Sequence, residues 1–121
     1  MASVSIVVQL ELDGKPLPGS PFTQILDVDD YQSINVRKSV DAIGTFTTIP
    51  TVDAIDNIQA LLLTNPDAEM QYRLNGQTDS SITVEAGGLI LFSNCSGSSI
   101  LASNSSSGMP ATLIGFVAGS I

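Results

Sequence analysis

The densest group of side chains able to do chemistry is the acidic run DVDD, which contains Asp27, Asp29 and Asp30. Hard cations such as calcium favour several carboxylate oxygens close together. The run lacks the central glycine and late glutamate of a calcium-binding loop, and on a strand Asp27 and Asp29 would share a face and repel each other. We therefore expect a solvated turn, or pairing with Arg37 or Lys38, and no bound metal.

The sequence contains few of the residues that other common catalytic sites need. The twelve carboxylates permit the acid and base pair of a glycosidase, but the chain has no tryptophan and few other rings to line a sugar cleft. Histidine, the commonest general base and transition-metal ligand, is absent. The serines therefore have no activating base, and Lys15 and Lys38 lie in no Ser-x-x-Lys frame. The sequence predicts a protein that is not an enzyme and needs no cofactor.

The single cysteine, Cys95, has no base or cation beside it in the sequence. One thiol cannot form an internal disulfide, and nothing nearby would favour its thiolate form. We expect a small packed residue.

Alternating apolar and polar residues predict strands along most of the chain. The first strand covers 4–12 and leads into a loop at 13–21, where three prolines and two glycines forbid ladder pairing. Further strands are predicted at 22–28, 31–40, 44–50, 69–74, 81–84, 89–94, 98–103 and 111–119.

Two places have less certain patterns. Residues 53–65 fit either a helix with Asp53 as its N-cap, or a short turn or helix at 53–57 followed by a buried strand at 58–64. Asn75-Gly76 predicts a tight turn or a longer loop, and Gly87-Gly88 predicts a bulge or sharp bend.

Short strands separated by turn signals, with no convincing long helix, favour an all-β fold. We predict a single antiparallel β-sandwich or jelly roll of about eight to ten short strands, with a β-barrel as second choice. The length of 121 residues fits one domain over 1–121, in which 1–21 form a strand with a Pro/Gly-rich loop or an arm.

The charge balance excludes one class of partner. Four basic against twelve acidic residues give a net charge of −8, which would repel DNA or RNA. Residues 1–14 lack the basic and apolar regions of a secretory signal, and the longest apolar runs are far shorter than the ~20 residues of a membrane span. The sequence predicts no nucleic-acid partner, no membrane segment and synthesis in a cytoplasm.

The last charged residue is Glu85, so residues 86–121 carry no charge. Solvent-facing strand positions usually carry charges, because exposed edges would otherwise pair with other chains. Either serine, asparagine and glycine solvate this third of the chain, or neighbouring copies or another protein cover it. In the second case, the candidate interface residues are Ile100, Leu101, Met109, Phe116 and Val117.

The run from Leu61 to Ser120 resembles small virion proteins of tailed bacteriophages. The shared pattern is an apolar strand, a strand ending in YRLNG, a polar loop, a strand into AGG, the strand LILF, a stretch rich in serine and asparagine, and a final strand ATLIGFVAG. The likeness covers about half of the chain and consists of strand and turn composition, without a catalytic motif.

The resemblance implies a β-sandwich capsid cement or decoration protein that clamps neighbouring major capsid subunits, as a homotrimer at local three-fold positions. Such a protein is made in the host cytoplasm and lies on the outer capsid surface of the virion, where an acidic part faces away from packaged DNA. Similar folds in tail, baseplate and head-fibre proteins give an alternative, a receptor- or carbohydrate-binding module of a phage tail or head fibre. Glycan binding predicts exposed rings among Tyr31, Tyr72 and the phenylalanines, whereas cement predicts those rings inside the sandwich.

Overall fold

The computed structural model describes residues 2–49, 55–74, 80–105 and 108–121, and this part of the chain contains twelve β-strands and no helix. The strands are β1 (Ala2–Val8), β2 (Glu11–Leu12), β3 (Lys15–Pro16), β4 (Phe22–Val28), β5 (Asp30–Lys38), β6 (Thr47–Thr48), β7 (Asn57–Thr64), β8 (Met70–Leu74), β9 (Ile82–Val84), β10 (Leu89–Gly97), β11 (Ile100–Ser103) and β12 (Ala111–Ser120). All pairings among them are antiparallel. The predicted all-β sandwich is confirmed.

Four long strands form the central sheet, in the order β10-β7-β12-β5. The two inner strands, β7 and β12, carry apolar residues on both faces, as in the run Ala60–Leu63. Continuous apolar runs of this kind are typical of strands that are covered on both sides. In this fold, each face of the central sheet packs against a different layer.

A second sheet, in the order β6-β11-β8-β9, packs on one face of the central sheet. The main hydrophobic core fills the space between these two sheets. Its fully buried members include Leu61, Leu63, Met70, Tyr72, Ile100, Leu113 and Val117. Each such side chain contributes about 1.5–3 kcal/mol through its removal from water, so this core accounts for most of the hydrophobic stabilisation.

A two-stranded ribbon of β1 and β4 packs on the opposite face of the central sheet. The two strands pair without a register shift, from Ala2 opposite Val28 to Val8 opposite Phe22. Alternation turns one side of the ribbon inward, and Leu26 and Val28 form a smaller buried cluster there with Ala60 and Ala118 of the central sheet. The molecule therefore has three layers: ribbon, central sheet and second sheet.

The predicted loop at 13–21 contains a pairing that the sequence analysis excluded. Lys15–Pro16 forms β3 and pairs with β2, with Glu11 opposite Pro16. Asp13 and Gly14 connect these strands with positive φ angles of 52° and 77°. An Asp-Gly dipeptide with positive φ at both residues is a typical hairpin turn, and proline is tolerated on so short an edge strand.

The structure decides part of the stretch 53–65, whose pattern fitted either a helix or a strand. Residues 57–64 form β7, so the strand interpretation of this part of 53–65 is confirmed, whereas Asp53 and Asn75-Gly76 lie outside the described residues. The predicted strand at 44–50 is reduced to β6, because a turn precedes it in which Thr45 N–H donates to the carbonyl of Ala42.

The predicted bend at Gly87-Gly88 is confirmed. Gly87 has a φ of 85°, and Gly88 N–H donates to the carbonyl of Glu85 at 2.9 Å. A left-handed φ of this size favours glycine, because other residues are strained there. The turn places Leu89 at the start of β10.

The charge-free segment 86–121 is covered largely by the chain itself. It forms β10, β11 and β12, and both β11 and β12 have a strand on each side. Since inner strands with a packed face need no charge for solubility or edge protection, intramolecular burial explains most of the missing charge. Solvation by small polar residues and cover by another chain, the two alternatives expected from the sequence, apply only to the positions that remain exposed.

Candidate interaction surface

The face of the central sheet that points away from the main core is the candidate functional surface, and we call it the outer face. The strand register arranges its side chains in rows that cross β10, β7, β12 and β5 in that order. The first row is Ser93, Ala60, Ala118 and Tyr31; the second is Leu91, Leu62, Phe116 and Ser33; the third is Leu89, Thr64, Ile114 and Asn35. The second and third rows contain no charged residue.

The ribbon covers the two alanines in the middle of the first row of the outer face. The small side chains of Ala60 and Ala118 leave room for Leu26 and Val28 above them. Polar contacts hold the same region, because the Ser93 hydroxyl donates to Oε1 of Gln24 and Asp29 N–H donates to the carbonyl of Gly119. The ribbon is thus anchored over one part of the outer face and leaves the rest open.

The second and third rows contain five apolar residues beside the polar Ser33, Asn35 and Thr64, and we call these five the apolar patch: Leu62, Leu89, Leu91, Ile114 and Phe116. Leu89 is 59% exposed, Ile114 46% and Leu91 36%, while Leu62 and Phe116 are half-buried. Register makes the five contiguous across β10, β7 and β12. Contiguous apolar surface on a rigid sheet is typical of a binding site.

A groove runs along β1 beside the apolar patch, and we call it the β1 groove. It consists of two cavities of about 380 and 320 Å³ that share Val4 and Phe116. Residues 4–7 of β1 line the first cavity together with Leu91, and residues 2–4 line the second together with Tyr31. Since Leu91 and Tyr31 lie on opposite edge strands, β1 crosses the strands of the central sheet.

The five predicted interface residues separate into two groups. Ile100, Leu101 and Val117 are 0%, 5% and 0% exposed within this chain, so they offer no surface to a second chain in this conformation. Their β11 and β12 positions point into the chain's own layers. Met109 is 48% exposed and Phe116 is half-buried, and Phe116 lines both cavities of the β1 groove.

The acidic cluster does not pair with the nearby cations as the sequence suggested. Asp29 accepts a hydrogen bond from Ile121 N–H at 3.0 Å, Asp30 accepts one from Tyr31 N–H at 2.8 Å, and Asp27 is exposed. Arg37 and Lys38 instead form ion pairs elsewhere. Their partners are Asp67 at 3.3 Å and Asp41 at 2.7 Å, respectively.

Asp67 joins the loop after β7 to the start of β12. Its Oδ1 accepts a hydrogen bond from Thr112 N–H at 2.8 Å, and its Oδ2 accepts from the Thr112 hydroxyl and from Arg37. The hydrogen bond from the Thr112 N–H is the largest influence and lowers the pKa of Asp67, desolvation opposes it, and the Thr112 hydroxyl and the Arg37 charge lower the pKa further. The arrangement is structural and closes the far end of the outer face.

The remaining reactive groups are dispersed. Among the described residues, no three His, Cys, Asp or Glu side chains lie together as metal ligands would. Cys95 packs against the main core, its Sγ lies 3.4 Å from the carbonyl oxygen of Ile58, and burial raises its pKa. This matches the expected small packed residue.

No helix in the described residues is suited by length and hydropathy to crossing a bilayer.

The aromatic residues divide between core and surface. Tyr72 and Phe46 are buried, whereas Tyr31 and Phe22 are 57% and 50% exposed. Tyr31 stacks on Phe116, with 5.9 Å between the ring centroids. The ring positions therefore agree in part with each of the two functions considered from the sequence.

Four of the five patch residues were not predicted as interface residues: Leu62, Leu89, Leu91 and Ile114. The sequence does contain a signal for them, in the runs LLL and LILF. Adjacent apolar residues on a strand must point to opposite faces, so each of these runs indicates a strand with a second apolar face. The outer face of the central sheet is that second face.

Comparison of the chain with protein-family models and with curated proteins finds no match.

Proposed function

We propose that the protein is a non-enzymatic structural subunit of a phage virion, a capsid cement or decoration protein that clamps neighbouring major capsid subunits. The all-β sandwich fits this class, and the run 61–120 resembles it. The acidic composition suits a position on the outer capsid surface, away from packaged DNA.

The apolar patch is the observation that carries the proposal. A contiguous exposed apolar patch can serve as a contact site, and its burial would contribute about 25 cal/mol for each Å² removed from water. The patch belongs to the strands of a packed sheet, so it needs little ordering when a partner binds. A surface of this kind serves docking without any reacting group.

Because the contacts between this protein and the capsid subunits would recur around the shell, each contact could be weak. A copy that already touches one capsid subunit meets the next at a high effective concentration. The homotrimer implied by the resemblance would multiply these contacts again. Clamping would then result from many weak interfaces around the capsid.

Sedimentation of the purified protein with mature, expanded heads of tailed phages tests the proposal. We expect saturable binding at a fixed number of copies per capsid subunit, and loss of binding for Ile114→Lys. Ile82→Lys is the matched control, because Ile82 of β9 is 45% exposed and Ile114 is 46% exposed. Absence of binding by the wild-type protein would contradict the proposal, whereas equal binding by both variants would show that the apolar patch is not the capsid contact.

A receptor- or carbohydrate-binding module of a tail or head fibre is the second candidate. The exposed Tyr31 ring, stacked on Phe116 at one end of the β1 groove, favours it, because aromatic rings stack on sugars. A glycan array distinguishes the two functions. Binding of a defined glycan that Tyr31→Ala abolishes would support the module, whereas binding to heads that survives Tyr31→Ala would support cement.

A further inference from the structure

One edge of β1 has no strand partner in the described part of the chain. β1 pairs with β4 over its whole length, so its other edge presents a row of unpaired backbone N–H and C=O groups. Proteins usually protect such edges with charged residues, proline or a bulge. The seven residues ASVSIVV contain no charge and no proline, and their pairing has no register shift.

This edge lies beside the apolar patch. Both cavities of the β1 groove lie along β1, and their floor includes Leu62, Leu91 and Phe116. A strand added to the edge would lie over the second and third rows of the outer face. Its backbone would pair with β1 while alternate side chains contacted the patch.

We propose that the β1 groove binds an extended segment of a partner protein, which adds a third strand to the ribbon and covers the apolar patch. Strand addition of this kind draws affinity from backbone hydrogen bonds and selectivity from alternate side chains. The choice of a virion protein as the donor rests on the proposed function, whereas the strand-accepting groove does not.

The groove defines the chemistry of the donor. The central sheet has four strands spaced about 4.8 Å apart, so a donor segment of about five or six extended residues would cross it. The groove lining contains no charged residue, so the donor carries alternating small or branched apolar residues in this stretch.

The acidic residues at one end of the β1 groove indicate the charge of the donor segment. Asp27 lies opposite Ser3 in the ribbon, and Asp29 and Asp30 follow directly, so three carboxylates lie near the Ala2 end. The ion pairs of the described residues leave these three without a cationic partner. A donor that pairs antiparallel to β1 has its C-terminal end near Ala2. That end lies two strand spacings, or about 10 Å, from Asp27, and this distance is similar to the Debye length. Basic residues at the C-terminal end of the donor would be attracted to these three carboxylates.

A second copy of this chain is a poor occupant for a geometric reason. Its β1 lies flat on its own central sheet, just as in the first copy. Antiparallel pairing of two β1 edges, as a two-fold axis would require, would drive the two central sheets into the same volume. The donor must therefore be a segment without a sheet of its own beneath it.

A synthetic peptide tests the groove directly. We would use Ala-Ser-Val-Ser-Ile-Val-Val-Lys-Lys with a fluorescent label and follow its anisotropy as the full-length protein is added. We expect saturable binding, which weakens about tenfold or more when proline replaces the central serine and removes a backbone donor. The same peptide ending in two glutamates should bind more weakly, and the difference should shrink at high salt.

Protein variants assign the binding to the groove. Ile114→Lys places a charge in the apolar patch that the added strand would cover and should weaken binding by about tenfold or more, whereas Ile82→Lys, on the second sheet with the same exposure, should leave it unchanged. Asp27→Asn should weaken binding of the lysine-ended peptide only.

Hydrogen exchange identifies the mode of binding. Amides of residues 2–8 should gain protection when the peptide binds, while those of β9, an edge strand of the second sheet, should not. Binding without protection of β1, or binding equally affected by Ile114→Lys and Ile82→Lys, would overturn the strand-addition proposal. A self-associated form of the protein that Ile114→Lys dissociates, with no peptide binding, would show that a second copy is the occupant and would also overturn it.

The two proposals fail in distinguishable ways. Peptide binding without binding to phage heads would leave the groove assigned and remove the capsid function. Binding to heads that Ile114→Lys does not affect, with no peptide binding, would remove the groove and require another capsid contact.

Discussion

Asn65 shows how one buried amide can hold two loops at the edge of the core. Its Nδ2 donates to the carbonyls of Ala68, Val84 and Glu85 at 2.8, 3.0 and 3.0 Å, and its Oδ1 accepts from the Tyr72 hydroxyl at 2.9 Å. Asn65 is fully buried, so water cannot replace these bonds. Burial also raises the pKa of Tyr72, which keeps its hydroxyl a donor well into the alkaline range.

Replacing Asn65 should be costly at the residue scale. We expect Asn65→Ala to lower the free energy of unfolding by about 3 kcal/mol, because the Ala68 and Val84 carbonyls and the Tyr72 hydroxyl lose the buried amide that they bond. Tyr72→Phe, which removes only one of these bonds, should cost about 1 kcal/mol. Urea denaturation measures both values. Equal costs for the two variants would contradict this account of the network.

Asp67 should make the stability of the protein depend on pH in the acidic range. Its folded-state pKa is lowered, chiefly by the Thr112 N–H, so its contribution is present above the unfolded value of about 3.9 and is lost as pH falls through the folded pKa. Melting temperatures measured from pH 6 to pH 2 should fall, and Asp67→Asn should reduce that fall. Asp27→Asn, the same substitution at an exposed position of β4, is the matched control. An unaltered slope in Asp67→Asn would contradict the assignment.

At the scale of elements, β12 determines how the central sheet is assembled. It lies between β7 and β5, pairs with both, and supplies Leu113 and Val117 to the main core and Phe116 to the outer face. Its close approach to β7 depends on Gly115, where any Cβ would overlap the carbonyl oxygen of Leu62. Glycine in the middle of a strand is otherwise unfavourable, so close backbone approach explains its presence.

Gly115→Ala should therefore separate β12 from β7. We expect a loss of about 3 kcal/mol or more in the free energy of unfolding, or insoluble protein, because backbone atoms must move to accept the methyl group. Ile114→Ala, at the neighbouring exposed position, should cost less than about 1 kcal/mol. Thermal denaturation of both variants provides the comparison, and similar stabilities would show that the sheet adapts at this point.

At the scale of the whole molecule, the ribbon and the sandwich have separate hydrophobic clusters. Leu26 and Val28 bury against two alanines of the central sheet, whereas the main core lies on the other side of that sheet. The smaller cluster contains fewer large side chains, so it stabilises the ribbon less than the main core stabilises the sandwich. The binding edge of β1 therefore belongs to the less strongly held layer.

A charge at Val4 should release the ribbon without unfolding the sandwich. Val4 is half-buried, packs against the smaller cluster and lines both cavities of the β1 groove. In Val4→Asp, we expect amides of β1 and β4 to lose protection from hydrogen exchange while those of β7 and β12 keep it. Loss of protection in all four strands would show that ribbon and sandwich unfold as one unit.

The sequence by itself determined the fold class, most strand positions and the turns at Gly87-Gly88, because side-chain alternation and backbone restriction by glycine and proline act within a few residues. It also determined that the chain contains no histidine, the commonest general base and transition-metal ligand. Only the tertiary structure decided which apolar residues remain outside: Val117 and Ile100 became core, while Leu89, Leu91 and Ile114 became surface. Exposure depends on which sheets stack on which face, and that arrangement comes from contacts between residues far apart in the chain, which local patterning does not encode.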